Sequence, residues 1–129
     1  MTNKTPEAIL KLWMDAVNTG DIATLLDLYD TDAILIPTFS NRILKKPEDR
    51  REYFERLATR DDLSVALHEK TKVEQLVNGS IATLSGIYCW RFAIDGQLLN
   101  FEARFSYVFD LTRASPIIHH HSSQIPRML

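Results

Sequence analysis

Three consecutive histidines, His119-His120-His121, offer imidazole groups for proton transfer or metal ligation. In a strand, successive side chains point to opposite faces, so His119 and His121 share one side and His120 takes the other. Three imidazoles arranged this way cannot converge on one metal, and the remaining histidine, His68, stands far away in sequence. A tightly held zinc needs about four ligands. No carboxylate or cysteine spacing completes a site here, so neither a metal nor a cofactor is expected. The run reads instead as hydrogen-bonded strand histidines, some of them at an interface. Arg104, with Glu102 two residues away, has two readings: a satisfied ion pair on a partly covered sheet, or a planar donor fork anchoring an anion in a pocket. Arg50 and Arg51 read as surface charges at the start of a helix, Trp13 and Tyr29 as core. Cys89, in an apolar run, reads as a small filler rather than a nucleophile.

Composition narrows the chemistry further. Fifteen Lys+Arg against seventeen Asp+Glu leave a net charge of -2, with no basic excess to drive binding to a phosphate backbone. One cysteine rules out an intramolecular disulfide. No glycine-rich loop follows a strand and opens a helix, and no G-x-S-x-G elbow is present. No stretch approaches the roughly 18 apolar residues of a membrane helix. Lys4, Glu7, Lys11 and Asp15 break the apolar runs that a signal peptide would need. A cytoplasmic protein with one domain over residues 1–129, binding neither nucleic acid nor membrane, is expected.

The elements that must position these residues are legible from local signals. Thr5-Pro6-Glu7 caps a first helix whose apolar face is Ile9, Leu12, Trp13, Ala16 and Val17. Gly20 stops it, and Asp21 caps a second helix running to Tyr29. Asp30-Thr31-Asp32 breaks that helix, and residues 33–36 form a short strand closed by Pro37. Pro47-Glu48-Asp49 opens a third helix to about Thr59. A long mixed segment over 65–77, then strands over 81–94, 98–111 and 117–125, follow with Asn78-Gly79 and Asp95-Gly96 turns between them. Helices first and an antiparallel meander afterwards predict an α+β domain with helices on one sheet face.

Strand 98–111 alternates strictly, with Phe101, Ala103, Phe105, Tyr107 and Phe109 on one side and Glu102, Arg104, Ser106 and Val108 on the other. If the helices cover the mixed side, the aromatic side is bare, and a bare patch of large apolar residues marks an interface. Self-association through Phe101, Phe105, Tyr107 and Phe109 is therefore expected.

Several segments together resemble the nuclear transport factor 2-like superfamily, in particular SgcJ/EcaC-type proteins and the association (hub) domain of calcium/calmodulin-dependent protein kinase II. They are Asn18-Thr19-Gly20-Asp21, Leu35-Ile36-Pro37-Thr38 with Ser40-Asn41, Tyr53-Phe54-Glu55-Arg56-Leu57, Glu102-Ala103-Arg104-Phe105, and Ile118-His119-His120-His121-Ser122-Ser123 followed by Pro126. The resemblance implies a cystatin-like cone, a curved antiparallel sheet wrapped around three helices, and homodimers or larger assemblies packed through the outer sheet face. It also implies that one hub pocket arginine falls on Arg104, while two others fall on Ser85 and Ser122 and a basic residue of the third helix falls on Arg50. Ketosteroid isomerases share the cone, but their carboxylate base corresponds here to Leu35-Ile36-Pro37, which contains no acid.

The expected pocket then holds Ser85, Arg104 and His120 on the inward face and Ser122 near the rim, with Tyr53 and Arg50 closing it. His119 and His121 point outward to a partner subunit. Two functions follow from this arrangement. One is a self-associating assembly or ligand-binding module with a pocket for a small carboxylate. The other is a small-molecule isomerase-, dehydratase- or cyclase-like enzyme with His120 as acid/base and Arg104 holding the anion. They differ at His120, since an acid/base needs one ring nitrogen free.

Overall fold

The computed structural model describes residues 5–126, so residues 1–4 and 127–129 of the expected domain, Lys4 among them, lie outside the described residues. Helix α1 (Pro6–Thr19) starts where Thr5 accepts the Ala8 N–H and ends at Gly20, whose φ of 70° is the left-handed stop. Its buried face is Ile9, Leu10, Trp13, Ala16 and Val17, with Leu12 51% exposed. That corrects the expected face: at about 100° per residue Leu12 swings away from the stripe centred on Trp13, and Leu10 falls nearer to it. Asp21 caps α2 (Ile22–Asp27) through the Thr24 N–H. Tyr29 does not end this helix but opens β1 (Tyr29–Ile36), so Asp30-Thr31-Asp32 lies within a strand. Helix α3 (Pro47–Leu57) buries Arg50, Phe54 and Leu57, one stripe at helical spacing.

The segment expected as one stretch over 65–77 divides into β2 (Ser64–Leu67), a 3₁₀ turn (Glu69–Thr71) and β3 (Val73–Asn78). These precede β4 (Ile81–Ile94), β5 (Gln97–Asp110) and β6 (Ile117–Gln124). The sheet runs β1-β6-β5-β4-β2, with β3 also on β4. All pairs are antiparallel except β1 with β6, which is parallel. Among the described residues, three helices and a curved, unclosed six-stranded sheet make an α+β fold of the cystatin-like kind. A Cβ on Gly86 would lie 3.1 Å from the Phe105 ring opposite it and 3.2 Å from Thr71 Oγ1, so any side chain here requires those two to give by a few tenths of an ångström. Among the described residues no helix is long and apolar enough to cross a membrane.

The register overturns the expected facing of β5. Tyr107 pairs with His120, Phe105 with Ser122 and Phe109 with Ile117, and opposed residues share a face. Ala103, Phe105, Tyr107 and Phe109 are all buried beneath the helices, so Phe105, Tyr107 and Phe109 are core and not an interface. Glu102, Arg104 and Ser106 occupy the exposed outer face. The reason is the hydrophobic effect: the aromatic side gains most by meeting the equally apolar stripe of α1.

Candidate functional site

Inside the cone, a line of polar groups runs through the aromatic core. Trp13 Nε1–H donates to Tyr29 Oη at 3.0 Å, Tyr29 Oη lies 2.7 Å from His120 Nδ1, and His120 Nε2 lies 3.2 Å from Tyr88 Oη. Tyr88 continues to the hydroxyls of Ser122 and Thr38, which bond each other. An indole nitrogen can only donate. Tyr29 therefore accepts from Trp13. Its own O–H finds an acceptor by donating to Nδ1, and with that arrangement His120 carries its proton on Nε2 and donates to Tyr88. The imidazole is 2% exposed and stacked on Tyr107, centroids 3.9 Å apart. Burial, with His119 and His121 adding to it, holds its pKa well below the usual histidine range, so it is neutral. Burial likewise raises the phenols of Tyr29, Tyr53, Tyr88 and Tyr107.

Little room remains there. A space of about 10 Å³ lies among Trp13, Tyr53, Tyr88, Trp90, His120 and Ser122, no more than a water needs. The expected pocket is thus assembled only in part: His120, Ser122 and Tyr53 come together, and the others do not. Ser85 faces outward, its Oγ 3.0 Å from that of Ser106. Arg104 also faces outward, paired in register with Ile87 and Ser123, while Glu102 meets His68 at 3.5 Å. These two placements correct the inward parity expected for Ser85 and Arg104. Arg50 is 2% exposed, contrary to a surface reading, yet its guanidinium donates to the Ala33, Asp30 and Thr31 carbonyls at 2.9, 2.9 and 3.2 Å. It staples α3 to the start of β1 rather than closing a pocket. His119 and His121 do point outward, as strand alternation predicts; His121 Nε2 lies 2.8 Å from Ser123 Oγ.

A larger cleft, about 370 Å³, opens where α3 and the loop before it face the far ends of β4 and β5. Phe39, Phe92 and Phe101 form its wall, and Arg42, Arg56 and Arg60 stand around it with Asp49 and Glu52. Phe101, expected at an interface, is therefore half-buried in this wall. Phe39, Phe92 and Arg60 were not singled out from the sequence. The even-numbered aromatic series Tyr88, Trp90, Phe92 was the available signal, since it marks one face of β4.

The chain belongs to the SnoaL-like domain family, part of the nuclear transport factor 2-like superfamily: the family model matches residues 7–128. Among solved structures it is similar to one from Xanthomonas campestris provisionally described as a calcium/calmodulin-dependent protein kinase II association domain. That likeness has 28% identity and a TM-score of 0.83, covering 95% of this chain and 86% of that one. A Novosphingobium aromaticivorans NTF2-like protein with a cystatin-like fold matches at 12% identity and TM-score 0.78, over 94% and 80% of the two chains. A Streptomyces avermitilis protein provisionally described as an NTF2-like dehydratase matches at 17% and 0.78, over 94% of each chain. The latter two likenesses concern fold alone. No curated protein matches the chain.

Proposed function

We propose that this chain is a single-domain, cytoplasmic association module that packs against a second copy through the outer face of β4, β5 and β6. The observation that carries the reading is the contrast between the two faces of this sheet. The inner residues of β5 from Ala103 to Phe109 are buried by the chain's own helices, while Ile87, Cys89, Val108 and His119 outside are only half-covered. The Xanthomonas relative described as an association domain supports the same reading. The outer face carries both an acid and a base, Glu102 and Arg104. Two-fold packing of identical faces can set Arg104 beside Glu102 of the partner subunit. Such an interface needs about 1,600 Å² of buried surface in total. The enzymatic alternative needs a free nitrogen on His120, and both ring nitrogens are engaged.

Light scattering at micromolar concentration tests the reading, with an expected mass at least twice 14.8 kDa. Val108→Glu places a charge in the centre of the outer face and should give the monomer mass with unchanged circular dichroism. Phe105→Glu should unfold the protomer, because its target is core. A monomeric parent, or a Val108→Glu variant of undiminished mass, overturns self-association through this face.

A further inference from the structure

We infer that the rim cleft between α3 and the β4–β5 hairpin binds a small monocarboxylate with a flat, aromatic body. The carboxylate sits on Arg60, and the body lies against Phe39, Phe92 and Phe101. The inference goes beyond self-association and does not depend on it.

The cleft's volume of about 370 Å³ lies within the range of small-ligand sites. Its wall is built for a ring. Phe92 and Phe101 stack with centroids 4.9 Å apart, and Phe39 meets both edge-on at 5.3 and 5.6 Å. Leu44, Leu57 and Ile94 complete the apolar lining. A flat apolar body entering here exchanges water for aromatic edges and faces, the contact such rings prefer.

The charges around the wall select the other end of the ligand. Arg56 is held by Glu52 at 3.0 Å, and Arg42 lies 3.7 Å from Asp49. Among the described residues Arg60 has no carboxylate partner. Its guanidinium lies 5.7 Å from the Phe92 ring centroid, against the same wall the ring would use. Three guanidinium groups against two carboxylates leave one positive charge uncompensated. A monoanion balances it, whereas a dianion such as phosphate would overshoot beside Asp49 and Glu52. Guanidinium offers two parallel donors to a planar carboxylate. Because Arg60 is exposed, binding should be weak, in roughly the millimolar range.

The test is titration of the ¹⁵N-labelled full chain with phenylacetate, phenylacetamide and acetate, read by amide shifts. Phenylacetate should saturate and move Phe39, Arg60, Phe92 and Phe101. Phenylacetamide lacks the charge and acetate lacks the ring, so each should bind at least about 5-fold more weakly. Arg60→Met should weaken phenylacetate about 5- to 10-fold with an otherwise native spectrum, and Arg51→Met, at an exposed position of α3 outside the cleft, should leave it unchanged. Equal binding of phenylacetamide, parental affinity in Arg60→Met, or shifts confined to the outer sheet face would overturn the inference. So would shifts of the cleft amides on dilution alone without saturation by phenylacetate, which would assign the cleft to a second copy. Light scattering on the same samples separates the two readings. A monomer that binds phenylacetate removes self-association and leaves the cleft site standing.

Discussion

The interior around His120 and the cleft at the rim are both aromatic and both hold cationic or titratable side chains, yet they differ in how their polar groups are spent. In the interior each nitrogen of His120 has a partner, and donors and acceptors run in one direction from Trp13 to the Ser122–Thr38 pair. That line is saturated and, in low dielectric, rigidifies the core. Among the described residues Trp90 Nε1 and Tyr107 Oη, close to it, are buried without a hydrogen-bond partner, but the space beside Trp90 is too small for more than a water. At the rim, Arg60 stands beside an aromatic wall and among the described residues has no carboxylate partner. A histidine in a cone is therefore not a site by virtue of its position. What counts is a polar group whose hydrogen-bonding capacity is still unspent and that has room beside it.

The comparison breaks most sharply at His120. His120→Leu leaves the Tyr29 hydroxyl without its acceptor and the Tyr88 oxygen without its donor, both buried. With about 1–3 kcal/mol for each orphaned group, the expected loss is about 4 kcal/mol in urea unfolding. A loss below about 1 kcal/mol would show that the line of hydrogen bonds does not hold the core together.

A smaller effect should appear with pH. Because the native pKa of His120 is depressed, the unfolded chain binds a proton that the native chain refuses. The stability it contributes is complete above the unfolded value of about 6.5 and is lost as pH falls below it, by at most about 1.4 kcal/mol per pH unit. The imidazole is faced by Trp13, Tyr29, Tyr88 and Tyr107, none of which titrates in this window. His119, lowered mainly by burial, adds in the same direction. The lowered carboxylates Asp21, Asp30 and Asp110 act only below their usual range near 4. Urea midpoints at pH 7 and 5.5 should therefore differ, with the lower one at acid pH. Equal midpoints would mean that His120 accepts a proton in place.

The smallest expected change is at Arg60. Its removal costs only an exposed contact with Phe92, so Arg60→Met should stay within about 0.5 kcal/mol of the parent. A larger loss would make Arg60 part of the framework and erase the contrast with the interior.

Much of the architecture was legible because its signals are local. Thr5-Pro6, Gly20 and Asp21 punctuate the helices through caps that involve only neighbouring backbone, and Asp95-Gly96 sets the β4–β5 turn with both residues at positive φ. The candidate site was less legible. Arg50 sits where a helix start ordinarily meets solvent, and only the path of β1 turns three carbonyls toward it. Phe39 and Arg60 lie in connecting segments, far in sequence from Phe92 and Phe101, so no periodicity links them.

By itself the sequence determined that β5 has an aromatic side and a polar side, that His120 opposes His119 and His121 in direction, and that helices precede a sheet. These are consequences of a period of two along a strand and of capping chemistry within a few residues. Tertiary structure decided which side is inside. Pairing of Leu35 with His120 joins β1 to β6, strands distant along the chain, and α1 buries the face that His120 shares with Tyr107. Alternation is symmetric between its two sides, and that symmetry is broken only when long-range register and helix packing remove one of them from water.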